Sequence, residues 1–367
     1  MRRRTFPVDV VLAVTTVVVA LIGVVMVYTA TRGTLAAQGL SPHYYLERQL
    51  LFVVLGVVAM GIVALIDYRR LEQVATAIYI LIVLSLLGVF VVGSHALGSQ
   101  RWFSLGPLQL QPSEFAVLAL ILVVATYCSR RSEGLAWRDV TRVLLLSGVP
   151  IVLVMAQPDL GTAIIMTIVL LVMLAVAGVP GRILLILFAA AVGVVVLAFE
   201  AGLLHHYQIA RITSFLHQDA RTQNSTIYNL QQAKDAIGSG GLFGTGIFHG
   251  TQTNLGYVPE QQTDFIFTAV GEQLGFVGAS GVLVLLGVIA WRLLRGAQLA
   301  RDSFGRLLSA GVFTFVAFSV FQNAGMTMGI MPITGIPLPF LSYGGTATLC
   351  FFMGVGLVLS VYARRGG

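Results

Sequence analysis

The chain has 367 residues, of which 57% are hydrophobic and 10% are charged, and its formal net charge is +7. A soluble globular domain carries about 25% charged residues, so this composition excludes an ordinary soluble protein. Apolar runs of about 20 residues, enough to cross a hydrocarbon core of about 30 Å, recur along the whole chain. The sequence therefore predicts an all-α polytopic membrane protein with one integral membrane domain over residues 1–367.

Ten apolar segments, bounded by charged residues or by Pro and Gly, are predicted to cross the membrane. They cover residues 9–30, 49–66, 74–93, 113–128, 141–156, 161–178, 182–200, 264–291, 306–328 and 342–362. The first is too long for the apolar core of a signal peptide, so it is predicted to be a retained span. Residues 201–263, between the seventh and eighth spans, form a large predicted outer loop.

The basic residues predict the orientation of these spans. If the N-terminus is cytoplasmic, 16 of the 22 Lys and Arg residues face the inside. The six on the outside are Arg32, Arg48, Arg101, Arg211, Arg221 and Lys234. Both termini are therefore predicted to be cytoplasmic. The positive net charge follows from this topology beside anionic lipid and requires no nucleic-acid partner.

Two acids stand at the predicted outer ends of the fourth and sixth spans. Glu114 lies in "GSQRWFSLGPLQLQPSEF" (98–115), and Asp159 lies in "QPDLGTA" (157–163). Both have a simple structural explanation. Glu114 is favourably placed near the positive end of a helix, and Asp159 is a natural helix N-cap. A role in a site is the alternative for each of them.

Two features of the predicted outer loop are informative. Within "STIYNLQQAKDAIGSGG", apolar residues at helical spacing predict a short amphipathic helix lying at the membrane interface and ended by Gly238. These residues are Ile227, Leu230, Ala233 and Ile237. The glycine-rich "GSGGLFGTG" (238–246) follows no strand and is not a dinucleotide fingerprint. It predicts a tight turn, or backbone amides that hold phosphate oxygens.

The eighth span opens with "VPEQQTDFIFTAVGEQLG" (258–275), which carries two acids into an apolar segment. Asp264 is at the outer mouth, and Glu272, eight residues later, lies about 12 Å deeper along a helix. A carboxylate inside the hydrocarbon region usually faces a cavity or a partner group, because burying it unpaired is costly. An N-cap for Asp264, and a structural ion pair or hydrogen bond for Glu272, are the alternatives.

The ends of the last two spans are predicted to be irregular. Pro and Gly in "GMTMGIMPITGIPLPFLSYGG" (325–345) forbid a continuous helix. Irregular backbone at membrane depth is tolerated only where it is buried or borders a wet cavity. A cavity is therefore predicted near these ends.

Cys128 and Cys350 lie in apolar stretches without metal-type spacing, and no chemistry is assigned to them.

Together, "QRWFSLGPLQLQPSE", "QPDLGTA", "GSGGLFGTG", "PEQQTDFIFTAVGEQLG" and "GIPLPFLSYGG" resemble the SEDS family (shape, elongation, division and sporulation) in content and order. The elongation members are more similar than the division members. The resemblance implies a peptidoglycan glycosyltransferase of the bacterial cytoplasmic membrane that polymerises lipid II. It also implies a class B penicillin-binding protein as partner and membrane lipid as surroundings.

The resemblance also implies roles for individual residues. Asp264 matches the essential acid of the family, and Glu114 and Asp159 match acids in its "PSE" and "QPDLGT" motifs. Glu272 is expected to support the site. The family often has Lys where this chain has Val117. Either the function of that Lys is lost, or another cation, such as Arg48, Arg101 or Lys234, supplies it.

The expected reaction is an inverting displacement. The 4-hydroxyl of a GlcNAc attacks C1 of MurNAc, and undecaprenyl pyrophosphate leaves. Such a step needs a base, for which Asp264 is predicted, and a group that stabilises the leaving pyrophosphate. The cationic candidates for the pyrophosphate are Arg48, Arg101, Arg211 and Lys234. A divalent cation, Mg²⁺ or Mn²⁺, on Asp264, Glu114 or Asp159 is the other possibility, and no organic cofactor is expected.

Two other functions fit parts of the sequence. A lipid II flippase would use a cavity lined by broken helices and acids, but the candidate residues cluster on the outer side. A non-catalytic scaffold for cell-wall synthases would have no reason to place acids around a buried cavity. Polymerisation is therefore the favoured prediction.

Overall fold

Thirteen helices and three short strands make up the regular structure of the described residues. The computed structural model describes residues 8–96, 99–105, 108–131, 135–202, 206–216 and 225–365. The helices are α1 (Val10–Ala37), α2 (Tyr44–Leu65), α3 (Tyr68–Val92), α4 (Pro112–Ser129), α5 (Trp137–Ala156), α6 (Leu160–Val176), α7 (Gly181–Glu200), α8 (His206–Leu216), α9 (Ser225–Ser239), α10 (Thr251–Leu255), α11 (Ile266–Leu299), α12 (Ser303–Thr327) and α13 (Gly345–Ala363).

Each predicted span coincides with one helix, α1 to α7 or α11 to α13. Within the described residues, eight helices are long and apolar enough, by length and composition, to cross a membrane. The apolar segments Leu160–Val176 and Gly181–Leu197 are shorter. The prediction of a helical polytopic membrane protein is confirmed. Arg2, Arg3, Arg4 and Arg221, which contributed to the predicted orientation, lie outside the described residues.

A small antiparallel sheet between α3 and α4 was not predicted. Strands β1 (Ser94–Ala96), β2 (Ser99–Leu105) and β3 (Leu108–Leu110) pair in the order β1-β2-β3. Phe103 lies opposite Leu110 in this meander. These strands are short and irregular in hydrophobic pattern, so the sequence gives little sign of them. The sheet leads directly into the start of α4.

The centre of the bundle is formed by α4, α12 and α13. In α4, 83% of its most apolar 18 residues are buried, compared with 17% in α3. Helices apolar on all sides can lie at the periphery because lipid covers them as well as protein does. The short fourth and fifth spans were both predicted to be packed inside the bundle. This prediction is confirmed for α4 and wrong for α5, in which 28% of the most apolar 18 residues are buried.

Helix α11 is broken at Gly275, where the backbone has φ 66° and ψ −169°. A break in a helix leaves carbonyl and amide groups without intrahelical partners. Residues 240–246 supply these partners. The bonds are Thr245 N to Glu272 O (2.9 Å), Gly246 N to Gln273 O (3.1 Å), Phe276 N to Gly241 O (2.9 Å) and Val277 N to Leu242 O (3.1 Å).

This contact places residues 240–246 of the predicted outer loop against the interior of α11 and not at its end. Gly275 lies nine residues after Ile266, which is about 14 Å along a helix. The glycine-rich segment therefore forms a tight turn, as predicted. The amides of Gly244, Thr245 and Gly246 are bonded to carbonyl groups of the chain and are not free to hold phosphate.

The amphipathic helix predicted in the loop is confirmed as α9, which ends at Ser239, one residue after the predicted stop. Helices α11 and α12 of this chain cover its apolar face. The prediction that this face lies in the membrane interface is therefore wrong. Leu230, Ala233 and Ala236 pack with Phe265 and Met326. This packing attaches the loop to the bundle beside the start of α11.

We predict that Gly240→Ala destabilises the protein, because its methyl group would overlap the carbonyl oxygen of Gly271. Overpacking of this kind costs about 1–3 kcal/mol. The measurement is the thermal unfolding midpoint of the detergent-solubilised chain, which should fall. Gly238→Ala is the matched control, because no atom lies within 4 Å of its added Cβ. Equal midpoints for the two variants would contradict the role of this contact.

Candidate active site

Three acids that are far apart in the sequence come close together at the N-terminal ends of α4, α6 and α11. Glu114 is in the first turn of α4, Asp159 is the N-cap of α6, and Asp264 lies two residues before α11. Asp159 and Asp264 are the charges that act on Glu114. The structure thus brings together the three acids singled out in the sequence.

The turn that carries Asp264 is fixed from α12. The Asn323 side-chain amide donates to the carbonyl oxygens of Asp264 (2.8 Å) and Ile336 (2.7 Å). Phe265, not Asp264, is the N-cap residue of α11, and no side chain caps that helix. The alternative of Asp264 as a helix cap is therefore wrong. Its carboxylate is left for other contacts.

The Asp264 carboxylate and the Arg211 guanidinium both lie beside Gly335. A Cβ built on Gly335 would lie 3.2 Å from Asp264 Oδ2 and 3.4 Å from Arg211 Nη1. Arg211 Nη1 also donates to Thr334 O at 3.0 Å. Gly335 has φ 76°, which favours glycine. The irregular segment between α12 and α13, predicted from its Pro and Gly residues, therefore allows the two charged groups to approach.

The electrostatic surroundings of Asp264 suit a base. The side chain keeps some exposure, but burial raises its pKa to about 6. Arg211 and Arg101 oppose this rise, while Glu260 and Asp159 add to it. A carboxylate of this kind is ionised at neutral pH and still accepts a proton more readily than a free Asp side chain.

Asp159 and Glu114 differ in the number of donors they receive. The Asp159 carboxylate accepts from Gln111 Nε2 (3.0 Å), Ser113 Oγ (3.1 Å), Thr162 N (3.2 Å) and Thr162 Oγ1 (3.0 Å). It is the helix cap that the sequence allowed, and it also ties α4 to α6. Glu114 is 9% exposed, and no residue that the structure describes donates a hydrogen bond to its carboxylate.

Arg101 supplies a second cation near the acids. Its Nε donates to Gln157 O at 2.7 Å, and its Nη2 donates to Pro158 O. These bonds hold β2 against the connection between α5 and α6. The positive charges of Arg101 and Arg211 both act on the Asp264 carboxylate. Val117 is fully buried among apolar residues, so the charge of the Lys often found there is absent.

The other two predicted cations have different surroundings. Arg48 stacks on the ring of Tyr44, with 4.1 Å from Cζ to the ring centroid. Lys234 is on the exposed side of α9. Neither is among the leading charges that act on Asp264. Their role as pyrophosphate ligands stays a prediction.

Glu272 has a structural environment. Its carboxylate is fully buried and accepts from Gln252 N (2.8 Å), Thr253 N (2.9 Å) and Thr253 Oγ1 (2.5 Å). These groups form the start of α10, so Glu272 caps that short helix from α11. The hydrogen-bonded alternative is therefore confirmed. The cap is invisible in the sequence, because it joins residues 19 and 20 positions apart.

Gln261 and Asn323 are site-supporting residues that the sequence analysis missed. The Gln261 amide donates to Thr253 Oγ1 (3.1 Å) and Thr268 Oγ1 (2.9 Å), which links α10, the Asp264 turn and α11. Asn323 holds the turn from the other side. The only signal was polarity, since both residues are buried amides in apolar surroundings.

The predicted divalent cation has no support from the described residues. Among the described residues, no group of three or more His, Cys, Asp or Glu side chains is placed to hold a metal ion. The Asp159 carboxylate is already occupied by four hydrogen bonds. A divalent cation on Asp264, Glu114 or Asp159 therefore stays a prediction, and no step of the proposed reaction uses one.

A separate cavity lies at the opposite end of α4 from Glu114. Its volume is 710 Å³, and its walls include Arg69, Glu72, Arg130 and Asp302. The two arginines pair with the two acids, Arg69 with Asp302 (3.2 Å) and Arg130 with Glu72 (3.1 Å). This cavity is not part of the candidate active site.

Comparison with known proteins gives one consistent result. The family model of FtsW, RodA and SpoVE, described as "Cell cycle protein", matches residues 9–366. The peptidoglycan glycosyltransferase MrdB of Escherichia coli K12 is 36% identical over 87% of this chain and 86% of its own length. Stage V sporulation protein E of Bacillus subtilis 168 is 35% identical over 99% of both chains.

Solved structures agree with these relatives. A chain from a peptidoglycan synthase complex that coordinates polymerization and crosslinking superposes with a TM-score of 0.81 at 30% identity, covering 98% of this chain and 99% of that one. The rod shape determining protein RodA of Thermus thermophilus superposes with a TM-score of 0.72 at 30% identity, covering 98% of each chain.

We predict that Glu272→Gln loosens α10, because a neutral amide replaces a carboxylate that accepts three hydrogen bonds. The expected loss is about 1–3 kcal/mol. Limited proteolysis in the segment 245–260 should become faster, and the thermal midpoint should fall. Asp235→Asn, an exposed acid on α9, is the control. Unchanged protection in the Glu272 variant would show that the cap is unimportant.

Proposed function

This chain belongs to the FtsW/RodA/SpoVE family, and we propose that it is a peptidoglycan glycosyltransferase that polymerises lipid II with Asp264 as general base. The observation that carries the proposal is that the Asp264 carboxylate and the Arg211 guanidinium both lie beside Gly335, where Arg101 also acts on Asp264 and Asp264 acts on Glu114. A base and a cation for a leaving group lie side by side, as an inverting glycosyl transfer requires.

Asp264 removes the proton from the 4-hydroxyl of the GlcNAc acceptor as its oxygen bonds to C1 of MurNAc. The α-linked bond from C1 to the pyrophosphate oxygen breaks in the same displacement, and the new link is β-1,4. The proton remains on Asp264 until it is passed to solvent, to which the side chain keeps access. The raised pKa makes this acceptance easier than for an ordinary Asp.

Arg211 and Arg101 stabilise the departing pyrophosphate. Guanidinium groups form paired, charge-assisted hydrogen bonds with phosphate oxygens. Arg211 is held by Thr334 O and Arg101 by Gln157 O, so both are oriented before substrate binds. They also take the place of the charge that is missing at Val117.

Glu114 is the open acceptor of the site. It is buried, no described residue donates to it, and it lies near two other acids. A hydroxyl or amide of the substrate that donates to Glu114 would remove the cost of this unpaired group. Asp159 acts indirectly by fixing the start of α6 and the Gln111-Ser113 segment.

The chain is a multi-pass bacterial membrane protein. The arginine distribution supports a cytoplasmic membrane location with both termini inside and the site facing outward. The similarity to the elongation member RodA and to a peptidoglycan synthase complex supports action in cell elongation with a class B penicillin-binding protein. A divalent cation remains a prediction from the sequence alone.

We predict that Asp264→Asn removes polymer formation from purified lipid II, with a loss of about 10²–10⁴-fold. Unchanged thermal unfolding would show that the variant is folded. Glu200→Gln, an exposed acid at the end of α7, is the control and should keep wild-type activity. Near-normal glycan synthesis by the Asp264 variant would refute the assignment. Lipid II translocation in liposomes without polymer would favour the flippase instead.

The pH dependence of kcat/KM tests the state of Asp264. Because the base must be ionised, the rate should fall as the pH is lowered through the pKa of about 6. Arg211 lowers this pKa and Glu260 raises it. Arg211→Gln should therefore move the midpoint to higher pH, and Glu260→Gln should move it to lower pH. Midpoints that do not move in opposite directions would contradict this electrostatic assignment.

A further inference from the structure

A group of aromatic residues beside the Asp264 turn takes no part in the chemistry above. We call Tyr44, Tyr45, Arg48 and Tyr343 the tyrosine cluster. The rings of Tyr44 and Tyr45 meet edge to face at 5.1 Å between centroids, and those of Tyr45 and Tyr343 meet in the same way at 4.8 Å. The cluster joins the start of α2 to the irregular segment before α13.

Arg48 orders this cluster. Its guanidinium lies over the Tyr44 ring, with 4.1 Å from Cζ to the centroid. Burial raises the pKa of Tyr343, and Arg48 opposes that rise, so its charge lies close to the phenol. Tyr44 is 43% exposed, while Tyr45 and Tyr343 are half-buried. The cluster is therefore fixed on one side and open on the other.

The cluster is attached to the turn that carries the proposed base. The backbone N–H of Tyr343 donates to Gln262 O at 2.8 Å, two residues before Asp264. The charge of Glu260, in the same turn, acts on Tyr45. Glu260 has φ 50°, an unusual value for a residue other than glycine, which brings the turn sharply past the cluster.

The chemistry of the cluster matches a saccharide. Sugar rings have apolar C–H faces and a rim of hydroxyl, amide and carboxyl groups. Tyrosines offer apolar rings with a polar tip, and Arg48 offers several donors. Binding sites commonly combine an aromatic lining with a few fixed polar groups. Tyrosines at a membrane surface can also serve as an interfacial belt. Packing between the rings and attachment to Gln262 favour a site.

We infer that the tyrosine cluster is a saccharide subsite, which binds a non-reacting sugar ring of the glycan strand beside Asp264. This inference rests on the proposed function for the identity of the saccharide. It assigns Arg48 to a substituent of the sugar and leaves the pyrophosphate to Arg211 and Arg101. A ring held there would keep the strand in place between successive transfers, so strand length would depend on the cluster.

The test compares Tyr44→Leu/Tyr45→Leu with Tyr228→Leu in the full-length protein. Tyr228 is an exposed tyrosine on α9, outside the cluster, and is the matched control. The first measurement is binding of a lipid-free tetrasaccharide of alternating GlcNAc and MurNAc. The cluster variant should lose roughly tenfold in affinity, which corresponds to about 1.4 kcal/mol. The control should bind like the wild type.

The second measurement is the length of glycan made from lipid II. The cluster variant should make shorter strands while still forming the first bond, and Tyr228→Leu should make strands of normal length. If the double variant unfolds at a lower temperature than the wild type, the single variant Tyr44→Leu replaces it, because that side chain is exposed.

The outcomes separate the subsite from the proposed function. Wild-type tetrasaccharide affinity in the cluster variant would overturn the subsite, even if its stability in lipid vesicles changed as expected of an interfacial belt. A wild-type chain that made no polymer would refute the proposed function. Tetrasaccharide binding that depends on the tyrosines would still support the subsite in that case.

Discussion

The cost of holding a carboxylate away from water organises the end of this protein at which α4, α6 and α11 begin. Glu272 and Asp159 are satisfied by three and four hydrogen bonds, and each anchors the start of a helix. Asp264 is offset by Arg211, and Glu114 receives no donor from the described residues. Because unpaired buried charge is costly, the unsatisfied acids are the ones available to substrate. The number of hydrogen-bond donors to each carboxylate thus distinguishes the acids with a structural role from those proposed to act on the substrate.

The same requirement governs the backbone. Two interruptions of helix lie near the acids, the break at Gly275 and the irregular segment between α12 and α13. Residues 240–246 supply hydrogen-bond partners for the backbone at the first interruption. The Asn323 side chain donates to a carbonyl oxygen in the second and to the Asp264 carbonyl oxygen, so it also fixes the Asp264 turn. Non-helical backbone at this depth therefore persists because other parts of the chain supply its partners. These partners frame the place where sugar chemistry is proposed.

The membrane helices could be predicted from the sequence because lipid selects long apolar runs. The cost of a charge in such a run drew attention to both Asp264 and Glu272, and the family resemblance of the "TDFIF" motif singled out Asp264. The contacts that define the site left no comparable pattern. In the sequence, Arg211 could not be distinguished from the three other candidate cations. The structure distinguishes it, because Arg211 and Asp264 both lie beside Gly335. The Glu272 cap joins two segments through a fold that local periodicity does not encode. Short strands before α4 were missed for want of a clear alternation.

The bonds between residues 240–246 and the broken α11 also affect how this protein can change in evolution. The loop completes the helix, and the close approach of Gly244 to the Gln273 carbonyl leaves no space for a side chain. Residues 240–246 and the broken helix therefore depend on each other for their backbone hydrogen bonds. A recombination crossover between them joins halves that were not selected together, whereas one outside both preserves every hydrogen bond of the break.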